Sequence, residues 1–288
     1  MTIRSRYPLN QSPFYKLSSK KKLAEILDSD IKILGKLVDG KMYTTFENKG
    51  RPIQTPIREL KKIHKKIFEL ISRIEVPNYV HAPRKGRSYI TNANNHLGNI
   101  PIIKTDVCRF YPSVTFDFIF RLFNQTFKCS PDVSWFLSKI CCFQGKHLPT
   151  GSPISGYLAY FSCKHIFDEI DLLVRSNQCT LTLYVDDITI SGKNASKVFL
   201  YKVIRVIWNN GLRTKPKKSI TFPANHPKTV TGVVISGEKP LIPNRTHKVI
   251  WEGRRLLSKI RNPSSRSKIE KSIQGRVQAA RQIDPSFK

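Results

Sequence analysis

Acidic residues are scarce in this 288-residue chain: 20 Asp and Glu stand against 50 Lys and Arg, a formal charge of +30. No stretch approaches the ~20 consecutive apolar residues of a bilayer-spanning helix. The first 22 residues are basic and Ser-containing, without the apolar run of a secretory signal. Membrane insertion and secretion are both disfavoured, and the expected location is cytoplasmic. The six cysteines (Cys108, Cys129, Cys141, Cys142, Cys163 and Cys179) show neither CxxC spacing nor a His/Cys cluster. That excludes the common zinc sites and fits reduced thiols filling core volume. No internal repeat or low-complexity tract interrupts the chain.

What is present is enough to fold. Apolar residues make up 40% and aromatics 10%, too rich for a disordered basic tail. The length fits roughly two domains or one multi-lobed body. An excess of cations repels itself in a compact state, so the chain calls for a polyanionic partner. Nucleic acid is the first candidate, through phosphate contacts and counterion release. Anionic membrane ranks second, because the cations are spread along the chain and not gathered on one amphipathic segment.

Apolar spacing predicts helices around Leu23–Leu27 and Ile31–Leu37, extended chain over Met42–Phe46 and a turn at Lys49–Pro52. From Pro56 to Ile74 a three-and-four rhythm (Leu60, Ile63, Ile67, Leu70) opposes Lys61, Lys62, Lys65 and Lys66, which predicts a helix with a basic outer face. Residues 77–100 read as loop-rich. Further helices are expected over Phe116–Phe127, Trp135–Cys142, Leu158–Leu173 and Ala195–Trp208, and a strand pair at Thr229–Ile235. Residues 241–288 form a helical, basic unit with 12 Lys/Arg and 3 Asp/Glu.

The chemistry concentrates in two strand-like segments. Ile102–Val107 reads as a buried strand carrying Asp106, and Thr180–Ser191 as two short strands joined at Asp186-Asp187. Adjacent carboxylates repel, and they are costly to bury without cations. An exposed turn accommodates such a pair equally well. A third carboxylate, Asp106, on a neighbouring strand would instead complete a ligand set for two hard divalent ions and in-line phosphoryl transfer.

Four motifs in order resemble the reverse transcriptases. They are Asp106-Val107-Cys108-Arg109-Phe110-Tyr111, Leu148-Pro149-Thr150-Gly151-Ser152-Pro153, Tyr184-Val185-Asp186-Asp187 and Lys215-Pro216-Lys217-Lys218-Ser219. Asn92-Ala93-Asn94-Asn95-His96 and Val230-Thr231-Gly232 further resemble two hallmark elements of bacterial retron reverse transcriptases. The resemblance runs from about Thr44 to the C-terminus.

That resemblance implies an α+β right-hand polymerase. Residues 1–101 would be N-terminal helices and fingers, 102–240 the palm with inserted helices at about 116–147, and 241–288 a small basic thumb. It implies Asp106, Asp186 and Asp187 as catalytic carboxylates, joined by the Val107 carbonyl in holding two Mg2+ ions, with Mn2+ as a possible substitute. Lys218 would protonate pyrophosphate. Arg51, Tyr111, Pro149 and Gly151 would position the nucleotide, with Tyr111 rejecting a 2′-hydroxyl. Asn92, His96, Val230, Thr231, Gly232, Arg254 and Arg255 would contact RNA.

Three positions depart from the pattern: Arg109 for a common Asp, Thr150 for Gln and Gly156 for Pro. By the same resemblance, partners would be dNTPs, a cognate noncoding RNA and its DNA copy, and a separately encoded effector in anti-phage defence, with no membrane. No ribonuclease domain is expected within this length. A group II intron relative, or a non-catalytic RNA-binding scaffold, remains open as an alternative.

Overall fold

The computed structural model describes residues 5–287. Two short helices, α1 (Lys20–Ile26) and α2 (Ile31–Leu37), precede a hairpin of β1 (Tyr43–Asn48) and β2 (Arg51–Pro56) and the longer α3 (Arg58–Ile71). Next come β3 (Val80–Ala82), α4 (Tyr89–Asn94), β4 (Ile102–Asp106), α5 (Phe110–Ser113) and α6 (Phe116–Arg121), which runs into a π-helical turn at Leu122–Thr126. Helices α7 (Pro131–Cys141), α8 (Ser155–Ser162) and α9 (Lys164–Ser176) lead to β5 (Thr180–Tyr184), β6 (Asp187–Ser191) and α10 (Lys197–Asn209). The chain closes with β7 (Ile220–Phe222), β8 (Lys228–Val230), β9 (Val233–Ser236), β10 (Lys239–Leu241), α11 (Asn244–Leu257) and α12 (Pro263–Ile283). Helices combined with largely antiparallel strands make this an α+β chain.

The central sheet has strand order β3-β5-β6-β4-β7, antiparallel except where β3 runs parallel to β5. Side chains alternate across a strand, so register assigns each residue a face. Ile103 of β4 and Val107 just after it, Leu181 and Leu183 of β5, and Ile188 and Ile190 of β6 join the main core, where α9 and α10 pack. The opposite face carries Lys104, Asp106, Thr182, Tyr184, Asp187, Thr189 and Ser191. One face is apolar and the other is chemical.

A second, small core joins Ala93, Ile102, Val230, Val233 and Ile235, with Tyr89, Leu97 and Ile283 packed against it. It rests on the three-stranded sheet β10-β9-β8 and on α4. The β8–β9 turn is Thr231-Gly232, both with positive φ (45° and 87°), as a two-residue type I′ hairpin demands.

Three sequence expectations change. Residues 77–100 are not merely loop: β3 is ordered by pairing with β5, and α4 by a reciprocal cap in which Ser88 and Thr91 satisfy each other's backbone N–H groups. The helix expected over Leu158–Leu173 breaks at Cys163 into α8 and α9. The turn expected over Lys49–Pro52 is only Lys49-Gly50, with Arg51 and Pro52 already in β2.

Candidate active site

Asp106, at the end of β4, sits directly opposite Asp187, the first residue of β6. The connection from β5 to β6 is the two-residue turn Val185-Asp186, since Tyr184 pairs with Asp187. The Val107 N–H donates to the Asp186 carbonyl at 3.0 Å, and the Val185 N–H to the Ala82 carbonyl at 2.9 Å. These two bonds clamp the turn from both sides. Val185 is held at φ 60°, a left-handed conformation that a β-branched residue adopts only under constraint, at roughly 1–3 kcal/mol. Asp106 and the distant Asp186-Asp187 pair therefore meet at one edge of the polar face.

Their carboxylates are not equivalent. Asp106 is buried, and both its oxygens accept from lysines: Oδ1 from Lys215 Nζ at 2.5 Å and Oδ2 from Lys218 Nζ. Asp187 pairs with Lys104 Nζ at 3.3 Å. Among the described residues, Asp186 has no direct ion pair. Burial, reinforced by the charge of Asp106, pushes its carboxyl up to about 6. Burial also raises Asp187, against the opposing pull of Lys104. Lys218 is raised because its hydrogen bond and attraction to Asp106 outweigh the desolvation that opposes its charge.

Among the described residues, no three acids, histidines or cysteines close around one point tightly enough to hold a metal ion as the side chains stand. The donor set nevertheless suits a hard divalent cation. It offers oxygen ligands only, and the burial that raises Asp186 favours a cation beside it.

Tyr111 lies in α5, stacked on Phe110 with ring centroids 6.0 Å apart. Burial, then the nearby Asp186 charge, pushes its hydroxyl up to about 12. A Cβ on Gly156 would lie 3.3 Å from Pro83 and 3.7 Å from the Tyr111 hydroxyl, so a glycine leaves this wall open.

The loop bearing Pro149 and Gly151 is fastened to β2. Gly151 N–H donates to the Gln54 carbonyl at 3.0 Å, and Thr150 Oγ1 donates to the Pro52 carbonyl at 2.9 Å. Thr150 N–H also donates to Gln54 Oε1 at 3.1 Å. A Cβ on Gly151 would meet Thr55 Oγ1 at 2.5 Å and the Gln54 carbonyl at 2.8 Å. Close approach to β2 is therefore what requires glycine here. Pro149 is buried and its carbonyl accepts from Ser155 Oγ. Arg51 is exposed beside the hairpin turn that this loop braces.

The expectation that Asn92, His96 and Val230 touch RNA is corrected, because all three are fully buried. His96 bridges Ser191 Oγ and Thr182 Oγ1, both at 2.7 Å, and so props the polar face from behind the acids. Burial lowers its pKa to about 3, keeping it neutral. Asn92 Nδ2 donates to Thr231 Oγ1 at 3.3 Å, and Thr231 Oγ1 donates to the Tyr89 carbonyl at 2.9 Å. The two hallmark segments, 139 positions apart at these atoms, thus bind each other. Thr231 is half-buried and Gly232 exposed, so this turn reaches solvent at its tip, as Asn94 and Asn95 do in the other segment.

Arg254 and Arg255 are exposed on α11, with the Arg255 guanidinium 5.6 Å from the Trp251 ring centroid. Two site residues escaped the sequence reading. Lys104 stands two positions before Asp106, hence on its face, a parity the strand pattern offered. Lys215 lies within a motif from which only Lys218 had been singled out.

A family model described as reverse transcriptase (RNA-dependent DNA polymerase) matches residues 18–235. The chain is similar to the retron Ec86 reverse transcriptase of Escherichia coli, 31% identical over 217 residues, covering 72% of this chain and 66% of that protein. It is similar to the retron Se72 reverse transcriptase of Salmonella heidelberg, 33% identical over 173 residues, covering 58% and 44%. The retron Mx162 reverse transcriptase of Myxococcus xanthus is 27% identical over 216 residues, covering 65% and 44%. The chain thus spans between under half and just under two thirds of these relatives' lengths.

Proposed function

The chain belongs to the reverse transcriptase family, and from that premise we propose that it is a retron-type RNA-directed DNA polymerase. The observation that carries this reading is the placement of Asp106 opposite Asp187 and beside Asp186 on one face of the sheet. Asp106, Asp186, Asp187 and the Val107 carbonyl would hold two Mg2+ ions, or Mn2+ in their place. When bound, such ions activate a 3′-hydroxyl and neutralise the triphosphate and leaving pyrophosphate.

The chain's own residues prepare that chemistry. Lys215 and Lys218 neutralise Asp106, and Lys104 neutralises Asp187, as they stand; the same carboxylates would hold the ions when bound. Lys218 would donate a proton to pyrophosphate. Tyr111 packs under the incoming sugar and excludes a 2′-hydroxyl. Arg51 takes the triphosphate, for which a guanidinium offers paired donors. Pro149 and Gly151 shape the template side through their attachment to β2. The division into fingers (1–101), palm (102–240) and thumb (241–288) belongs to the same proposal.

The template is a cognate noncoding RNA, primed from an internal 2′-hydroxyl, and the product is a branched RNA–DNA hybrid that stays bound. Arg254, Arg255 and the Thr231-Gly232 turn contact that RNA, while Asn92, His96 and Val230 hold the turn in place. The biological role is anti-phage defence with a separate effector protein. No helix among the described residues is long and apolar enough to cross a membrane.

Two experiments test the reading. Purified chain with an RNA template, a DNA primer, dNTPs and Mg2+ should extend the primer, and a chelator should stop it; absence of extension under varied templates and Mg2+ sinks the polymerase. Nucleic acid co-purified with the chain, when expressed with its upstream flanking DNA, should contain DNA joined to RNA at an internal branch. Linear nucleic acid alone would favour a different class of reverse transcriptase.

A further inference from the structure

Tryptophan is on average a well-buried residue, yet all three in this chain, Trp135, Trp208 and Trp251, are exposed. Each carries a Lys or Arg over its ring. Trp208 stands on the outer face of α10, the helix that packs on β4 and α9 on the apolar side of the sheet, away from the acids. Spacings of three, four and three place Val198, Tyr201, Arg205 and Trp208 on one exposed stripe of that helix. Phe199, Leu200, Val203 and Ile207 take the buried side.

The stripe has two aromatic stations. Tyr201 is 55% exposed and Trp208 47%, so neither ring serves the core. Trp208 is also fixed in place. Its indole Nε1 donates to Thr214 Oγ1 at 3.2 Å, and the Arg213 guanidinium lies 5.8 Å from its ring centroid. A ring held in this way loses little freedom when a second flat group stacks on it. The two rings are about 10 Å apart along the helix axis, a distance that about three stacked nucleotides span.

The charge around them is of one sign. No Asp or Glu occurs between Asp187 and Glu238, whereas that run of 50 residues holds nine Lys and Arg. Lys197, Lys202 and Arg205 are exposed, and among the described residues their side chains engage no acid and no other acceptor. Of the three acids on the neighbouring α9, two are paired within it: Asp168 with Lys164 and Asp171 with Arg175. Unbalanced cations with rings among them suit a strand whose phosphates need counterions and whose bases are free to stack. A duplex keeps its bases stacked on one another, and protein–protein interfaces are poor in lysine. RNA is the strand that an RNA-dependent DNA polymerase holds before any DNA exists.

We propose that the outer face of α10 docks a single-stranded segment of RNA, with bases stacked on Tyr201 and Trp208 and phosphates at Lys202 and Arg205. This track runs on the far side of the sheet from the carboxylates, so it anchors RNA outside the catalytic site. It holds for any class of reverse transcriptase and does not depend on a branched product.

The test uses the full chain and a short unstructured RNA carrying 4-thiouridine, crosslinked by near-ultraviolet light, with the adducts mapped by peptide. Wild type should give crosslinks on the α10 peptide. Their yield there should drop at least ~5-fold in Tyr201→Ala and in Arg205→Glu, the scale of one lost stacking or phosphate contact, while yields elsewhere on the chain hold. Trp208→Phe keeps a ring and should retain most of the yield, whereas Trp208→Ala should lose it. Melting temperatures of Tyr201→Ala and Arg205→Glu should match wild type, because both side chains are exposed. Both variants should extend a short template–primer at the wild-type rate. An inactive wild type that still crosslinks at α10 would count against the polymerase reading and leave this one standing. Crosslinks absent from α10 in the wild type, or undiminished in both variants, overturn the proposal and make an acidic protein surface the better occupant of this face.

Discussion

Along β4 and the residue after it, Ile103 and Val107 face α9 and α10, while Lys104 and Asp106 face the other way; along β6, Ile188 and Ile190 oppose Asp187, Thr189 and Ser191. The same two strands thus present an apolar sheet surface and a charged one. The apolar surface is free of ionisable groups and merges into one continuous core. The charged surface holds three carboxylates and three lysines in contact or close to it, and a neutral histidine spans the strands behind them. Burial stabilises the first surface, whereas on the second it works against charge, lifting Asp186 and Asp187 above their ordinary range. Stability and chemistry are thereby separated by the two-residue period of a strand, and mutations on the two faces should separate in the same way.

The largest stability effect belongs to the apolar face. Ile188→Ala should destabilise the fold by about 2–5 kcal/mol, through lost burial plus a cavity, read as a lowered melting temperature with extension per folded molecule nearly unchanged. A comparable loss of specific activity would mean the faces are not independent.

Next is the prop behind the acids. His96→Ala strands the hydroxyls of Thr182 and Ser191, and leaving a buried polar group unpaired costs about 1–3 kcal/mol. Denaturant unfolding measures it; a change within error would show that water replaces the ring without loss.

A smaller effect follows from pH. His96 and His64, buried with pKa values lowered to about 3 and about 4, stay neutral in the fold but bind protons near 6.5 once unfolded. The unfolded state therefore holds more protons below pH 6.5, and stability falls as pH drops from about 6.5 towards 4. Each residue contributes about 1 kcal/mol by pH 5.5. His96→Gln and His64→Gln should each flatten this slope; an unchanged slope would assign it to other groups.

The last effect is at Lys104. Replacing it with Met leaves the largely buried Asp187 without its ion-pair partner, so stability should fall by about 1–3 kcal/mol. The Mg2+ concentration for half-maximal extension should fall by roughly threefold, as the ammonium no longer competes. A rise instead would make Lys104 a supporting cation and not a competitor.

Much of this division was legible in the chain itself. The apolar rhythm of α3, the helix expected over Ala195–Trp208 and found as α10, and the strand–acid–strand pattern at Asp186-Asp187 all follow from local spacing, because each buries a periodic face. The three-acid cluster was foreseeable because two strands ended in carboxylates. What escaped depends on distant partners. Three residues of β3 between Pro77 and Pro83 carry too little pattern, and they become a strand only beside β5. Cys163 breaks the long helix without glycine or proline to mark it. The burial of Asn92 and His96 was hidden because their hydrogen-bonding partners, Thr231, Thr182 and Ser191, lie about 90 to 140 positions away. A polar side chain gives no local sign of whether it faces RNA or a buried hydroxyl.

The account rests on the polar face performing the reaction, and one comparison addresses that most directly: initial extension rates of wild type and Asp186→Asn per folded molecule, with RNA affinity measured on the same samples. The side chains are nearly isosteric, so fold and RNA binding should persist while extension falls by about a thousandfold or more, the scale of losing a metal-holding carboxylate. Equal rates would contradict the account, because Asp186 would then be a turn residue and the three acids a structural coincidence.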